Sequence, residues 1–178
     1  SSAGRENRAG TGQVYIGSQA GYYATGSYNT FVGQDAGMGG TTSAPFSSGQ
    51  YNTAVGYQAL TAFKEPTYTT AIGYQAGKAQ VDGYDNTYIG ARSGQSNAVG
   101  DGNVTLGDRA LYSDTSGHRT VAIGKDALYN FSGSGTTLRV AEKLGMNCTA
   151  IDSNSDSIHT SRNHLLLQYP HSNLSISS

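Results

Sequence analysis

The stretch Thr70-Ala71-Ile72-Gly73-Tyr74-Gln75-Ala76-Gly77 returns 17 residues later as Thr87-Tyr88-Ile89-Gly90-Ala91-Arg92-Ser93-Gly94. Working outward, seven copies centre on Gly17, Gly33, Gly56, Gly73, Gly90, Gly107 and Gly124, spaced by 16, 23, 17, 17, 17 and 17 residues. The long spacing reads as one regular unit plus an insertion. Before each central glycine stands an aliphatic residue: Ile16, Val32, Val55, Ile72, Ile89, Leu106, Ile123. Three before it is Val or Thr, and three after it is Ala or Ser. Seven before it is a second glycine, replaced once by Pro66, and four before it Asn recurs as Asn29, Asn52, Asn86 and Asn103.

A period this regular is the mark of a solenoid. Side chains alternate along a strand, so the Val/Thr column and the aliphatic column share one side. The aliphatic column is the expected core ladder. Two glycines per unit mark turns, giving coils of strand, turn, strand, turn. Coils would stack about 4.8 Å apart, turning identical columns into ladders. A helix is excluded, since each interior Gly costs about 1 kcal/mol relative to Ala.

Composition agrees. The chain has 178 residues with 25 Gly, and only 29 are Leu, Ile, Val or Phe. That is too few for a conventional sandwich. Yet the net charge is −1 and there are 13 Tyr, which does not fit a charged disordered chain. Eleven basic residues against twelve acidic ones make no nucleic-acid footprint. No apolar run approaches the length of a membrane span. Cys148 is the single cysteine, so no intrachain disulfide forms. The chain starts at Ser1 and is expected to be a fragment or a processed product. One coil buries too little apolar surface to offset the ordering of its backbone, so several chains are expected to pack together.

The domains follow from the repeat. Residues 1–9 lead in, 10–131 form the solenoid with an insertion at 38–48, and 132–178 form a C-terminal cap or tip. The register decays over Arg139–Leu144, as at a solenoid end. The tail carries Leu165-Leu166-Leu167 and the alternating Leu174 and Ile176.

The runs Asn52-Thr53-Ala54-Val55-Gly56-Tyr57-Gln58-Ala59-Leu60 and Thr120-Val121-Ala122-Ile123-Gly124-Lys125-Asp126-Ala127 resemble the β-roll repeats of trimeric autotransporter adhesin heads. The Gly-Tyr-Gln-Ala variant is similar to repeats of bacteriophage tail fibres that precede a self-cleaving C-terminal chaperone. The resemblance covers about residues 10–130. It implies an all-β, left-handed parallel β-roll or β-solenoid, intertwined as a homotrimer. The longer coil and the lack of a stalk or membrane-anchor barrel favour the tail-fibre side. On that side Ser177-Ser178 could mark a chaperone cleavage.

No catalytic constellation is visible, and the chain is read as a non-enzyme without cofactor or metal. Left-handed β-helix acyltransferases are the rival enzyme class, but their period is three hexads, and the solenoid holds a single histidine, His118. The tail histidines His159, His164 and His171 fit no single face for an axial metal. Asp152-Ser153-Asn154-Ser155-Asp156 opens like a calcium loop but continues with Ser157 and reaches Asn163 where Gly and Glu are needed. An ice-binding solenoid is suggested by Thr30, Thr53, Thr70 and Thr87, with the inward parity of that column arguing against it.

The expected function is structural and receptor-binding. The chain would be part of a trimeric fibre attaching to a cell-surface glycan or protein, located in a virion tail fibre or, alternatively, on a bacterial surface as an adhesin. Binding candidates are Phe46 in the insertion, Tyr57 and Tyr74 in a ladder beside the strands, and Tyr169 and His171 in the tail. The other tyrosine ladders are Tyr28–Tyr51–Tyr68 and Tyr112–Tyr129.

Overall fold

A computed structural model describes residues 2–7, 10–40 and 47–129. The chain winds into an all-β solenoid with coils of about 17 residues. Seven three-residue strands form it: β1 (Val14–Ile16), β2 (Thr30–Val32), β3 (Thr53–Val55), β4 (Thr70–Ile72), β5 (Thr87–Ile89), β6 (Val104–Leu106) and β7 (Val121–Ile123). They pair in parallel in sequence order. Every residue faces its repeat-mate, as Thr53 faces Thr70, Ala54 faces Ala71 and Val55 faces Ile72. The long spacing keeps this register, with Thr30 opposite Thr53. No helix forms among the described residues.

Two expectations are corrected. First, each coil has one strand, not two. The opposite side is a run of turns. There the residue two after each central glycine takes a left-handed conformation in every coil, as Gln19, Asp35, Gln58, Gln75, Arg92, Arg109 and Asp126. Two positions later the same conformation recurs in Gly21, Gly37, Leu60, Gly77, Gly94, Leu111 and Leu128. Two such kinks so close together prevent an extended segment. The turns still bond coil to coil, with Leu60 N–H donating to Ala76 O at 2.9 Å and Gly94 N–H to Ala110 O at 2.8 Å.

Second, the inward parity is reversed. The expected core ladder Ile16, Val32, Val55, Ile72, Ile89, Leu106 and Ile123 faces away from the coil's interior; Ile16 is 59% exposed and Ile123 56%. The mid-strand column points in, and Phe31, Ala54, Ala71 and Tyr88 are fully buried. Alternation establishes which residues share a side but not which side is inside. The inward column looked unlike a core because it mixes Tyr15, Phe31, Ala54, Ala71, Tyr88, Thr105 and Ala122.

That mixture is compensated four residues after the central glycine. Where the mid-strand residue is aromatic, glycine stands there. A methyl group on Gly37 would lie 2.5 Å from the Phe31 ring, and one on Gly94 2.3 Å from Tyr88. Where the mid-strand residue is small, leucine fills the space: Ala54 with Leu60, Thr105 with Leu111, Ala122 with Leu128. Gly77, beside small Ala71, is the exception, and Tyr88 of the next coil reaches over to it. The interior is thus filled to constant volume by two columns, as close packing requires. A buried hydroxyl pair, Ser93 with Thr105, separates the larger apolar cluster ending at Tyr88 from the smaller one around Leu111 and Leu128.

The buried asparagines tie coils together. Asn29 Oδ1 accepts the backbone N–H of Asn52 at 2.9 Å and its side-chain amide at 3.1 Å. Asn52 Nδ2 donates to Pro66 O at 2.7 Å, and its Oδ1 accepts Thr69 N–H at 2.9 Å. Asn86 and Asn103 repeat the pattern, and Asn103 hands on to Thr120 N–H. The ladder breaks at Thr69, whose buried hydroxyl has no partner.

Candidate binding surfaces

The strand face turned to solvent is a sheet of two ladders. One is Val14, Thr30, Thr53, Thr70, Thr87, Val104 and Val121; the other is the aliphatic column. Short strands and parallel pairing make each ladder continuous over seven coils. Both ladders are half-buried or exposed throughout. Soluble monomers rarely present so contiguous an apolar stripe.

Tyrosines flank this face. Tyr28, Tyr51 and Tyr68 occupy the left-handed position five before each central glycine and stack with centroids 5.0 and 5.1 Å apart, at 11° and 15°. Tyr57 and Tyr74 follow the central glycines on the other edge and stack at 5.7 Å and 12°. The Arg92 guanidinium lies 5.6 Å from the Tyr74 ring centre. Tyr74 therefore has both ring faces covered, one by Tyr57 and one by Arg92. What it presents outward is its rim. Of the binding candidates, only Tyr57 and Tyr74 fall within the described residues, and the structure brings those two together. Phe46, Tyr169 and His171 lie outside them, as do Arg139–Leu144, Asp152–Asn163, His159, His164 and the rest of the tail.

Behind Tyr57 and Tyr74 runs an amide ladder. Gln75 Nε2 donates to Gln58 Oε1 and Gln95 Nε2 to Gln75 Oε1, both at 2.8 Å. In later coils the Gln58–Gln75 column becomes ionic, and Arg109 Nε lies 2.8 Å from Asp126 Oδ1. The same Arg109 guanidinium sits 5.5 Å from the Tyr129 ring, which stacks on Tyr112 at 4.8 Å.

At the corner before the strands, the ladder pattern fails. Tyr84, Asp101 and His118 occupy equivalent positions in successive coils. Asp101 Oδ1 accepts Tyr84 N–H at 3.0 Å, and Asp101 Oδ2 lies 3.1 Å from His118 Nδ1. Tyr84 is 56% exposed and has no ring partner among the described residues. The reading of the repeat missed this corner because it follows columns, and here the column is heterogeneous. The available signal was that heterogeneity.

Two interior tyrosines are a contrast. Burial pushes the Tyr15 phenol up to about 12. Burial raises Tyr88 further, and its hydroxyl donates to Asn97 Oδ1 at 3.2 Å. Both serve the core. Among the described residues no group of His, Cys, Asp and Glu could hold a metal ion. Among them there is no helix long and apolar enough to cross a membrane.

Comparison with protein-family models, with curated proteins and with solved structures finds no match to this chain.

Proposed function

We propose that the chain is a structural and receptor-binding segment of a homotrimeric fibre that attaches to a cell surface, of the phage tail-fibre type. One observation carries this reading. The most homogeneous apolar column of the repeat is also the one facing out, from Ile16 at 59% to Ile123 at 56% exposed. A homogeneous aliphatic ladder on an outer face is suited to packing against other copies about an axis parallel to the stacking direction of the coils. The number three and the left hand of the coil rest on the resemblance of Thr120–Ala127 and Asn52–Leu60 to trimeric fibre repeats.

Light scattering tests it. The parent chain, 18.5 kDa, should run at about three times that mass. Ile72→Asp should stop assembly while leaving the solenoid's circular dichroism intact, because the substituted side chain faces outward. A parent chain that stays monomeric sinks the reading.

A second reading has its own observation. The Thr30, Thr53, Thr70, Thr87 ladder faces outward, so the parity objection to ice binding falls away. A monomer with thermal hysteresis, lost in Thr70→Lys, would favour it over the fibre.

A further inference from the structure

We propose that the corner formed by Tyr68, Tyr84, Asp85 and Asp101 is a binding site for a neutral pyranose sugar. It rests on the receptor-binding reading above and gives that reading a site and a ligand class.

The regular ladders are poor places to hold a sugar, because stacking onto a pyranose needs an open aromatic face. Tyr51 is covered on both sides by Tyr28 and Tyr68. Tyr28 ends its ladder, but the Gly12 backbone packs on its ring so closely that a methyl group there would lie 2.7 Å from Cδ1. Tyr68 ends the ladder differently. In the next coil its column continues as Asp85, then Gly102, then Arg119. Asp85 is short and Gly102 has no side chain, so no ring covers the second face of Tyr68. It is 58% exposed, the most of any described tyrosine.

A second open ring stands beside it. A bridge between Thr67 and Tyr84 sets Tyr84 one coil on and one residue back from Tyr68. Tyr68 and Tyr84 are thus neighbours at the corner that carries Asp85 and Gly102, and both are more than half exposed. A methyl group at Gly102 would meet Arg119 at 3.5 Å, so the Arg119 side chain packs beside this glycine. Tyr68 and Gly102 lie two coil spacings apart, on the order of 10 Å, and only the short Asp85 stands between them, which leaves room for a sugar ring against Tyr68.

The polar groups suit sugar hydroxyls. The Asp85 carboxylate is exposed and has no partner among the described residues. Asp101 is held in place by Tyr84 N–H and by His118. Ionised carboxylates accept hydrogen bonds only, and hydroxyls donate them. Asp82, Asp85 and Asp101 outnumber Arg119, the cation beside Gly102, and the net negative charge disfavours sugars bearing a carboxylate. Aromatic faces with a few fixed polar groups are the ordinary makeup of a small-ligand site.

The test uses the full chain on arrayed oligosaccharides of neutral hexoses, N-acetylhexosamines and uronic acids, together with adhesion to cells. The parent should bind neutral sugars in preference to uronic acids. Tyr68→Ala and Tyr84→Ala should each weaken that binding roughly three- to tenfold. Asp85→Asn, which keeps a residue tolerant of the left-handed backbone, should weaken it and admit uronic acids. Tyr28→Ala should leave it unchanged. Scattering and circular dichroism confirm that each variant assembles and folds. If the parent adheres to cells but ignores neutral sugars, or if Tyr68→Ala and Tyr84→Ala bind them like the parent, the site is overturned while the fibre reading stands. If the parent binds neither cells nor sugars, both readings fall.

Discussion

Gly73→Ala should be among the most damaging single-methyl changes in the chain. A Cβ there would sit 2.5 Å from Gly90 O and 2.7 Å from its carbonyl carbon. Those are backbone atoms of the next coil, and they are held. Gly90 N–H donates to Ile72 O and Gly73 N–H to Val55 O, both at 2.8 Å. Relief of an overlap of about 1 Å means prying two coils apart at their tightest contact. The backbone at Gly73 has φ of +135°, which costs a non-glycine residue about 1–3 kcal/mol. One or two weakened hydrogen bonds add about 1 kcal/mol each. The expected total is about 2–5 kcal/mol per chain. Gly102→Ala is the matched control. It also has positive φ, +64°, but nothing nearer than 3.5 Å, so only backbone strain of about 1–2 kcal/mol applies. Urea unfolding followed by circular dichroism, at one protein concentration, measures both. If Gly73→Ala costs no more than Gly102→Ala, close coil contact is not what requires glycine at the centre of the repeat.

The broken asparagine ladder predicts a gain: Thr69→Asn supplies an acceptor for Asn86 N–H and a donor for Gly83 O, and should stabilise by about 1 kcal/mol in the same urea assay. Asn52→Ala should do the reverse by about 2–4 kcal/mol, since it removes three buried side-chain hydrogen bonds and leaves their partners unpaired. Alkali should unfold the solenoid, because Tyr15 titrates near 12 when folded and near 10 when unfolded. The unfolded state then loses its proton first, so stability is full below pH 10 and falls as pH rises toward 12. Tyr88→Phe should flatten that fall, as read from urea midpoints across the range. Gln75→Asp should cost about 1–2 kcal/mol, because it breaks the amide ladder on both sides.

The strands were legible residue by residue. Thr70–Ile72 and its six equivalents stand where the β-branched and aliphatic columns put them. Glycine at Gly73 and its counterparts was legible as a close approach, and Asn52 as a column without a known role. The inside was not legible. Homogeneity was taken for burial, whereas the interior column runs from Ala54 to Tyr88 and is balanced by Leu60 or Gly94 at another position. Only the pair of columns has constant volume, and one column read alone conceals it. The turn side was hidden because Gln75, Arg92 and Asp126 carry no compositional mark of a left-handed backbone. The candidate corner escaped for a related reason: Tyr68 belongs to a ladder, and its open face depends on the shortness of Asp85 one coil away.

The paired filling of the interior also limits how such a chain can be lengthened or shortened. A 17-residue unit looks interchangeable, and removing one would preserve every strand register. Yet a breakpoint between Ala54 and Leu60 would separate partners and join a small residue to glycine, leaving a hole, or an aromatic to leucine, leaving a clash. Joins at the glycine that opens each unit, such as Gly49 or Gly83, keep the partners together. Even these fail where an aromatic ring leans on a glycine of the coil before it, as Tyr15 does on Gly4 and Tyr88 on Gly77. The fourth and fifth coils must therefore be gained, lost or exchanged as a single 34-residue cassette, so the grammar of recombination in this solenoid is coarser than the period of its sequence.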